Sequence, residues 1–327
     1  MSIGIYFGID TSNYTTSAAA VTVAGEVFCA KRLLSVPSGS RGMRQSDALF
    51  CHTRDLSEII EEVLSGVREK YGDFTLLGVG VSDRPRPVEG SYMPCFLAGV
   101  NAAKAAASLA GVPLFLFSHQ EGHIRAALAG AQKEGRVLTD EEFFAFHLSG
   151  GTTELLKVAR DGVRYRVELC AKTLDVTLGQ IIDRCGVALG CPFPAGAHLE
   201  ELALTSPSGK APRIPKKEEG INLSGFENRF QKGLAEGKEK GVLAREVFDV
   251  AIFAVKALME DGRVGEAPVL FSGGVSSSVI LKEHFSAPRF FFAPPSHSAD
   301  NAIGIAHLAK EAFEYGCRSC PDGNGAQ

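Results

Sequence analysis

Two stretches of the chain share one hydrophobic and polar pattern, in which apolar residues flank a short polar turn. Residues 5–23 are an apolar, β-branched run that is interrupted by Asp-Thr-Ser-Asn-Tyr-Thr-Thr at 10–16. In residues 142–159, the apolar FFAFHL leads into Ser-Gly-Gly-Thr-Thr at 149–153, and ELLKVA follows. Each pattern is typical of a strand, a tight turn and a second strand. Two copies of one hairpin pattern, roughly 140 residues apart, predict a duplicated domain.

Helices and strands are predicted to alternate after each hairpin. In the first half, helical spacing covers 47–67 and 99–110, and buried strands cover 76–81 and 112–117. In the second half, helices are predicted at 175–189, 195–204, 245–259 and 301–315, and a strand at 267–272. This alternation predicts mixed or parallel sheets covered by helices. We expect one lobe at 1–118 plus 300–327 and a second at 119–299.

Composition and charge narrow the class of protein. The 327 residues are 45% apolar and 22% charged, the balance of a globular protein large enough for two domains. The net charge of −4 offers nucleic acid no general positive field, so an RNA contact would be local. Without a signal peptide or a long apolar run, we expect a cytoplasmic protein that does not cross a membrane. The eight cysteines are expected to be reduced, with no essential role for Cys317 and Cys320.

A Pro-, Gly- and Lys-rich segment interrupts the pattern at 206–220. We expect a solvated surface loop, the alternative being a local contact to a phosphate backbone.

Two glycine-containing turns are candidates for binding phosphate. Glycine lets backbone N–H groups approach a phosphate, and Ser149 to Thr153 adds hydroxyl donors. Gly273-Gly274 follows a strand and precedes a helix, where a ligand can lie over the helix N-terminus. Each alone is a weak signal, and the alternative is a simple tight turn. Their order resembles the superfamily of actin, sugar kinases and heat-shock chaperones (ASKHA), which implies two lobes that clamp a nucleotide in a central cleft.

His119 and His123 are candidate metal ligands. They open a predicted helix, and residues four apart lie on one face, where they can share a metal. The alternative is two ordinary polar residues at a helix start. A zincin would need Glu directly after the first His, but Gln120 holds that place. Asp300, before the last helix, is a third candidate or simply its N-cap; two His and one carboxylate form a common one-metal set.

Several motifs in order carry a resemblance to one family. GIDTSNYTTSAAAV is similar to the family's GIETSCDETSVAV, SHQEGH contains its H-x-E-G-H, HLSGGTTELLKV is similar to VSGGHTQLV, FSGGVSSSVIL to AGGVAANSRL, and SADNAIGIA to TDNAAMIA. The chain resembles, nearly end to end, the TsaD (Gcp, YgjD) proteins, formerly called O-sialoglycoprotein endopeptidases. The resemblance implies transfer of threonylcarbamoyl from threonylcarbamoyl-AMP to the N6 amine of adenosine next to the anticodon of tRNA.

The resemblance also implies site residues, cofactors and partners. The implied ligands of one divalent metal, iron or zinc, are His119, His123 and Asp300. The residues implied to bind the substrate or an adenine nucleotide are Leu148, Ser149, Gly150, Gly151, Thr152, Asp183, Gly196, Gly273, Gly274 and Ser278. The implied partners are tRNA and, within one pathway, a small homologous subunit and an ATPase.

The chain departs from the family pattern near the expected site. The family's Cys-Asp-Glu becomes Asn13-Tyr14-Thr15, its Gly-Pro-Gly-Leu loop becomes residues 82–88, its His becomes Thr152, and its Asn becomes Ser278. These changes leave two alternatives: a paralogue that acts on another acceptor or binds the adenylate without turnover, and a non-catalytic partner of a tRNA-modifying complex. The partners of that kind lack H-x-E-G-H. Nothing in the sequence supports a protease.

Overall fold

A computed structural model describes residues 2–12, 14–34, 43–209, 216–217, 220–294 and 301–319. The chain divides into two compact units: 1–129 with 160–166 and 300–327, and 130–159 with 167–299. The sequence-based division was drawn at residue 118. The structure instead groups 119–129 and 160–166 with the first unit, because the helix that opens at His119 packs there over most of its length.

The first unit is built on a five-stranded sheet in the order β3-β2-β1-β4-β5. β1 pairs antiparallel with β2 and parallel with β4, and β4 pairs parallel with β5. The strands are β1 (Ile3–Ser12), β2 (Thr15–Thr22), β3 (Val27–Leu33), β4 (Phe74–Arg84) and β5 (Leu114–Ser118). The helices are α1 (Gln45–Tyr71), α2 (Phe96–Ala110), α3 (His119–Lys133) and α9 (Asn301–Ser319), the last numbered after those of the second unit.

The two faces of this sheet pack against different helices. Side chains alternate along β2: Ala18 and Ala20 pack with α1 and α2, whereas Ala19 and Val21 pack with α9. α9 lies unusually close to the sheet at Gly8, where a Cβ would lie 2.5 Å from the amide nitrogen of Ala306. Glycine in β1 is therefore required for α9 to rest directly on the strand.

The second unit is built on a seven-stranded sheet in the order β12-β11-β6-β7-β8-β10-β9. The strands are β6 (Glu142–Leu148), β7 (Thr153–Asp161), β8 (Arg164–Thr173), β9 (Lys216–Lys217), β10 (Gly220–Ile221), β11 (Val269–Ser272) and β12 (Phe290–Phe292). The helices are α4 (Leu178–Ala188), α5 (Gly196–Ala203), α6 (Ser224–Ala235), α7 (Lys240–Asp261) and α8 (Val279–His284), and a 3₁₀ turn spans Gly274–Ser277. Phe271 lies at the centre of an aromatic cluster, stacked on Phe146 and Phe292 at 5.2 and 4.5 Å between ring centroids.

Both predicted hairpins are present. β1 and β2 pair down to Ser12 opposite Thr15, and β6 and β7 pair down to Leu148 opposite Thr153. The segment 206–220, predicted to be a surface loop, lies partly outside the described residues. Its described part is not only loop, because Lys216–Lys217 pairs with Gly220–Ile221 and β10 in turn pairs with β8. Among the described helices, none is long and apolar enough to cross a membrane.

Candidate functional site

Helix α3 begins with a complete capping box. The N–H of Ser118 donates to Glu121 Oε2 at 2.7 Å, and the N–H of Glu121 donates to Ser118 Oγ at 3.2 Å. This reciprocal pair satisfies two backbone donors that a helix start leaves open. Glu121 is fully buried. Its position in S-H-Q-E is therefore explained by helix initiation, and it is not available as a protease-like general base.

The capping box places His119 and His123 side by side at the start of α3. Their ring centroids lie 4.4 Å apart, with the ring planes at 78°. Asp300, the third predicted metal ligand, lies outside the described residues, and Asn301 next to it opens α9. Among the described residues no group of three His, Cys, Asp or Glu could hold a metal. The structure thus brings two predicted ligands together, and the three-ligand set stays a prediction.

A buried carboxylate from the first hairpin contacts His119. Asp10, at the end of β1, is 1% exposed, and its Oδ1 and Oδ2 lie 3.1 and 3.2 Å from His119 Nδ1. Ser12 Oγ donates to Oδ2 at 2.5 Å, and the hydroxyl of Ser82, at the end of β4, donates to Oδ1. Burial alone would raise the pKa of Asp10, but attraction to His119 and these hydrogen bonds hold that pKa well below its usual range.

Asp10 was not among the sequence-predicted site residues. The available signal was an acidic residue at the polar centre of a hairpin, directly after the apolar run of β1. That signal does not identify its partners, since His119 lies 109 positions further along the chain.

Asn301 contacts the same histidine from α9. Its Nδ2 donates to the carbonyl oxygen of His119 at 2.8 Å and also lies 2.5 Å from Nδ1. Nδ1 cannot both donate to Asp10 and accept from this amide. We assign the proton to Nδ1, because an ionised carboxylate can only accept and forms the stronger bond. Asn301 Oδ1 is buried and has no hydrogen-bond partner among the described residues.

The loop after β4 lies beside the start of α3. Arg84 pairs in register with Ser118, and the N–H of Gln120 donates to the carbonyl of Pro85 at 3.1 Å. Arg84 Nη1 contacts both carboxylate oxygens of Asp83, at 2.7 and 2.9 Å. The segment 82–88, which departs from the family pattern, therefore flanks the histidine pair.

In the second unit, the β6–β7 turn is closed by its own serine. Ser149 Oγ accepts from the N–H groups of Gly151 and Thr152, at 3.3 and 3.1 Å. Gly150 and Gly151 are exposed, and a Cβ at either would meet nothing within 4 Å, while the carbonyl of Gly150 accepts from Thr177 Oγ1 at 2.9 Å. The side chain of Leu148 is fully buried in the core, which leaves only its backbone for a binding role.

The other predicted nucleotide-binding residues lie around α4, α5 and the Gly-Gly turn. Asp183 on α4 accepts from the N–H of Ala195 at 2.8 Å and so fixes the residue before Gly196. Gly273 has φ 91°, and a Cβ there would lie 2.7 Å from the carbonyl carbon of Leu148, so glycine is required where this turn meets β6. Nothing lies within 4 Å of a Cβ at Gly274.

Ser278 is engaged within the protein. It caps α8 by accepting from the N–H of Leu281 at 3.2 Å, and it donates to Glu200 on α5 at 2.5 Å. These bonds account for Ser278 structurally, so its predicted contact to a nucleotide stays a prediction.

The chain matches the family described as TsaD: tRNA N6-adenosine threonylcarbamoyltransferase, over residues 40–307. This match covers most of the chain. The protein belongs to the TsaD family. A TsaD relative from Bacillus licheniformis, named tRNA N6-adenosine threonylcarbamoyltransferase, is 28% identical over 97% of this chain and 94% of its own. A relative of the same name from Methanopyrus kandleri is 26% identical over 97% of this chain and 90% of its own.

Solved structures support the fold of this TsaD protein. The activator of the 2-hydroxyisocaproyl-CoA dehydratase from Clostridium difficile, with bound ADPNP, is 12% identical, with a TM-score of 0.53 over 98% of this chain and 100% of that chain. HypF from T. kodakarensis is 13% identical, with a TM-score of 0.60 over 96% of this chain and 48% of HypF. The predicted ASKHA-type α/β fold is confirmed, as is the prediction of a transferase of the TsaD type. The individual site residues stay predictions.

Proposed function

We propose that this TsaD-family protein transfers threonylcarbamoyl from threonylcarbamoyl-AMP to the N6 amine of adenosine next to the anticodon of tRNA. One divalent metal, bound by His119, His123 and Asp300, would assist the transfer. The observation that carries this proposal is the His119–His123 pair at the capped start of α3, backed by the buried carboxylate of Asp10. The relatives' shared name suggests the reaction, and the histidine pair would hold the metal that assists it.

The residues present fit a metal at the histidine pair. A histidine that ligates a metal through one ring nitrogen usually donates from the other to a carboxylate or carbonyl. His119 has that arrangement, because Nδ1 faces Asp10 and Nε2 keeps a lone pair. Imidazole and carboxylate ligands suit iron or zinc. When bound, such a metal would polarise the carbonyl that is attacked, as a Lewis acid.

The other proposed roles belong to residues of the second unit. The backbone of Gly150 and Gly151 would lie against the phosphate of the adenylate, where glycine permits close approach. Asp183 uses one oxygen to hold Ala195, and its second oxygen would accept from a ribose hydroxyl. Gly196 and the Gly273-Gly274 turn would lie along the nucleoside. A neutral amine needs little activation, so the main task of these residues is to hold the reacting groups in line.

The deciding experiment combines metal content with transfer. The purified protein would be analysed for bound iron and zinc, then assayed on unmodified tRNA with the other pathway components supplied. We expect about one metal per chain, as for a single His-rich site, and loss of both metal and transfer in His119→Ala. His284→Ala is the matched control, since His284 is exposed on α8. Unchanged metal and transfer in His119→Ala would refute the site.

A second candidate is transfer to a different acceptor, and the loop after β4 favours it. Arg84 ends β4 and Arg86 lies in the loop that follows it, next to the first turn of α3. Their charge would alter which acceptor can approach the histidine pair. In that case threonylcarbamoyl-AMP would be consumed in the presence of another amine, and tRNA would stay unmodified.

A further inference from the structure

We infer that Asp10 is a positioning residue, held by Ser12 and Ser82, that fixes His119 as the Nδ1–H tautomer and leaves Nε2 as the ligand-binding nitrogen. This inference rests on the proposed function only in taking Nε2 of His119 as the nitrogen that binds. Asp10 acts through His119 and is not itself placed on the substrate.

The burial of Asp10 calls for an explanation beyond stability. A buried charge is costly unless it is paired and hydrogen-bonded, and even a buried pair contributes little net stability. Asp10 is 1% exposed, Ser82 0% and Ser12 4%, and both hydroxyls donate to the carboxylate. The site therefore holds one carboxylate in one orientation with three donors, the third being His119.

The geometry at His119 follows from these bonds. Neutral imidazole has one N–H and one lone-pair nitrogen, and its neighbours decide which is which. Both oxygens of Asp10 lie near Nδ1, at 3.1 and 3.2 Å, and an ionised carboxylate can only accept. We therefore place the proton on Nδ1, and the amide of Asn301, whose Nδ2 also lies 2.5 Å from Nδ1, donates to the carbonyl of His119 instead. The ring is also bounded by Phe96 and His123, with centroids at 6.4 and 4.4 Å. Tautomer and ring orientation are thus both set before any ligand arrives.

An Asp10→Asn variant separates charge and tautomer control from shape. The amide is nearly isosteric, and the Ser12 and Ser82 hydroxyls can donate to its oxygen or accept from its NH₂. Its NH₂ can also turn toward Nδ1, which places the imidazole proton on Nε2 and removes the lone pair needed for binding. We therefore expect Asp10→Asn to fold and to switch the tautomer. Ser82→Ala removes one of the two hydroxyls and should produce a smaller shift in the same direction.

The experiment uses the full-length protein without metal and with Zn²⁺ as the probe. Long-range ¹H–¹⁵N spectra of the histidine rings, recorded where imidazoles are neutral, report the tautomer of His119, and a His119→Gln spectrum assigns its signals. Zn²⁺ affinity is measured by competition with a chromogenic chelator. We expect Nδ1–H in the wild type, Nε2–H in Asp10→Asn, and about 10–100-fold weaker Zn²⁺ binding, the usual cost of removing such a partner. Asp73→Asn, at an exposed turn, should change neither.

The outcomes separate this inference from the proposed function. If Asp10→Asn keeps the wild-type tautomer and affinity, the positioning role is refuted while the metal site stands. If the wild type binds no Zn²⁺ but the tautomer switches, the metal is refuted while the positioning role stands. If Asp10→Asn does not fold, by circular dichroism, Ser82→Ala decides, and an unchanged tautomer and Zn²⁺ affinity there overturns the inference.

Discussion

The close contact between α3 and α9 makes Gly304→Ala the sharpest single test of how the histidine site is assembled. A Cβ at Gly304 would lie 2.7 Å from the carbonyl carbon of Gly122 and closer still to its oxygen, whereas ordinary contacts begin at 3.4 Å. The contact to the carbon alone requires a separation of 0.7 Å (3.4 − 2.7), and the nearer oxygen requires more, because both atoms are backbone and cannot rotate away. Overpacking of this kind costs about 1–3 kcal/mol, less about 1 kcal/mol from the better helix propensity of alanine.

The separation would also act on the site. Asn301 opens α9 three residues before Gly304, and its 2.8 Å bond to the carbonyl of His119 would lengthen. Urea unfolding should show a lower midpoint, and Zn²⁺ affinity should fall with it. Gly316→Ala is the matched control on the same helix, since nothing lies within 4 Å of its Cβ, and it should be neutral or slightly stabilising. If Gly304→Ala unfolds at the same urea concentration as Gly316→Ala, α3 and α9 do not make this close contact.

Three further predictions concern the second unit and the cysteines. Phe271→Ala should lower the free energy of unfolding by about 3–5 kcal/mol, as for other buried aromatic deletions. Phe50→Ala, at a side chain that is 67% exposed, should change it little. Equal urea midpoints for the two variants would contradict this prediction. Burial raises the pKa of the Cys185 thiol to about 12, whereas Cys29 is exposed. Thiol reagents at neutral pH should therefore label Cys29 quickly and Cys185 only on unfolding. Mass spectrometry of the labelled peptides would check this. Burial would raise the pKa of Asp175, but hydrogen bonds from the start of α6 lower it on balance. The ionised carboxylate therefore stabilises the folded protein above its unfolded pKa, and this stabilisation is lost on acidification. The difference in free energy of unfolding between wild type and Asp175→Asn should shrink below about pH 4 in urea titrations, and a difference independent of pH would count against it.

Much of the fold could be predicted from the sequence because it depends on short-range patterns of apolar and polar residues. Apolar runs on either side of a polar turn predict a hairpin, and β1–β2 and β6–β7 are both present. The long helices follow from apolar spacing, although α4 begins at Leu178 rather than at 175, because Thr177 caps it with a complete capping box. Strand pairing in 206–220 was missed, since Pro, Gly and Lys give no strand signal and two-residue strands have no period.

The site was less accessible because it depends on contacts that are distant in sequence. The spacing of His119 and His123 is a property of one helix, so sequence alone predicted their juxtaposition. Asp10 and Asn301 reach the same ring from β1 and α9, at separations of 109 and 182 residues. No periodicity reports such pairings, which arise from the order of strands and from a close helix contact at Gly304.

The departures from the family pattern fall into a buried group, which includes Ser82 and Ser278, and an accessible group. Asp10 and Asn301 are almost fully buried around His119, and Ser82, an altered residue at the end of β4, is buried with them and donates to Asp10. Other altered residues are accessible: Tyr14 is 37% exposed, and Arg84 is partly exposed and bonded to Asp83. A change among the buried groups around His119 would remove the lone pair or the charge on which the proposed metal site depends, whereas accessible changes would alter what approaches it. If the protein binds Zn²⁺ through His119 yet leaves tRNA unmodified, the accessible arginines beside the histidine pair are the departures to test first. Replacing Arg84, at the end of β4, and Arg86, in the loop after it, by glycine should then shift acceptor preference without shifting Zn²⁺ affinity.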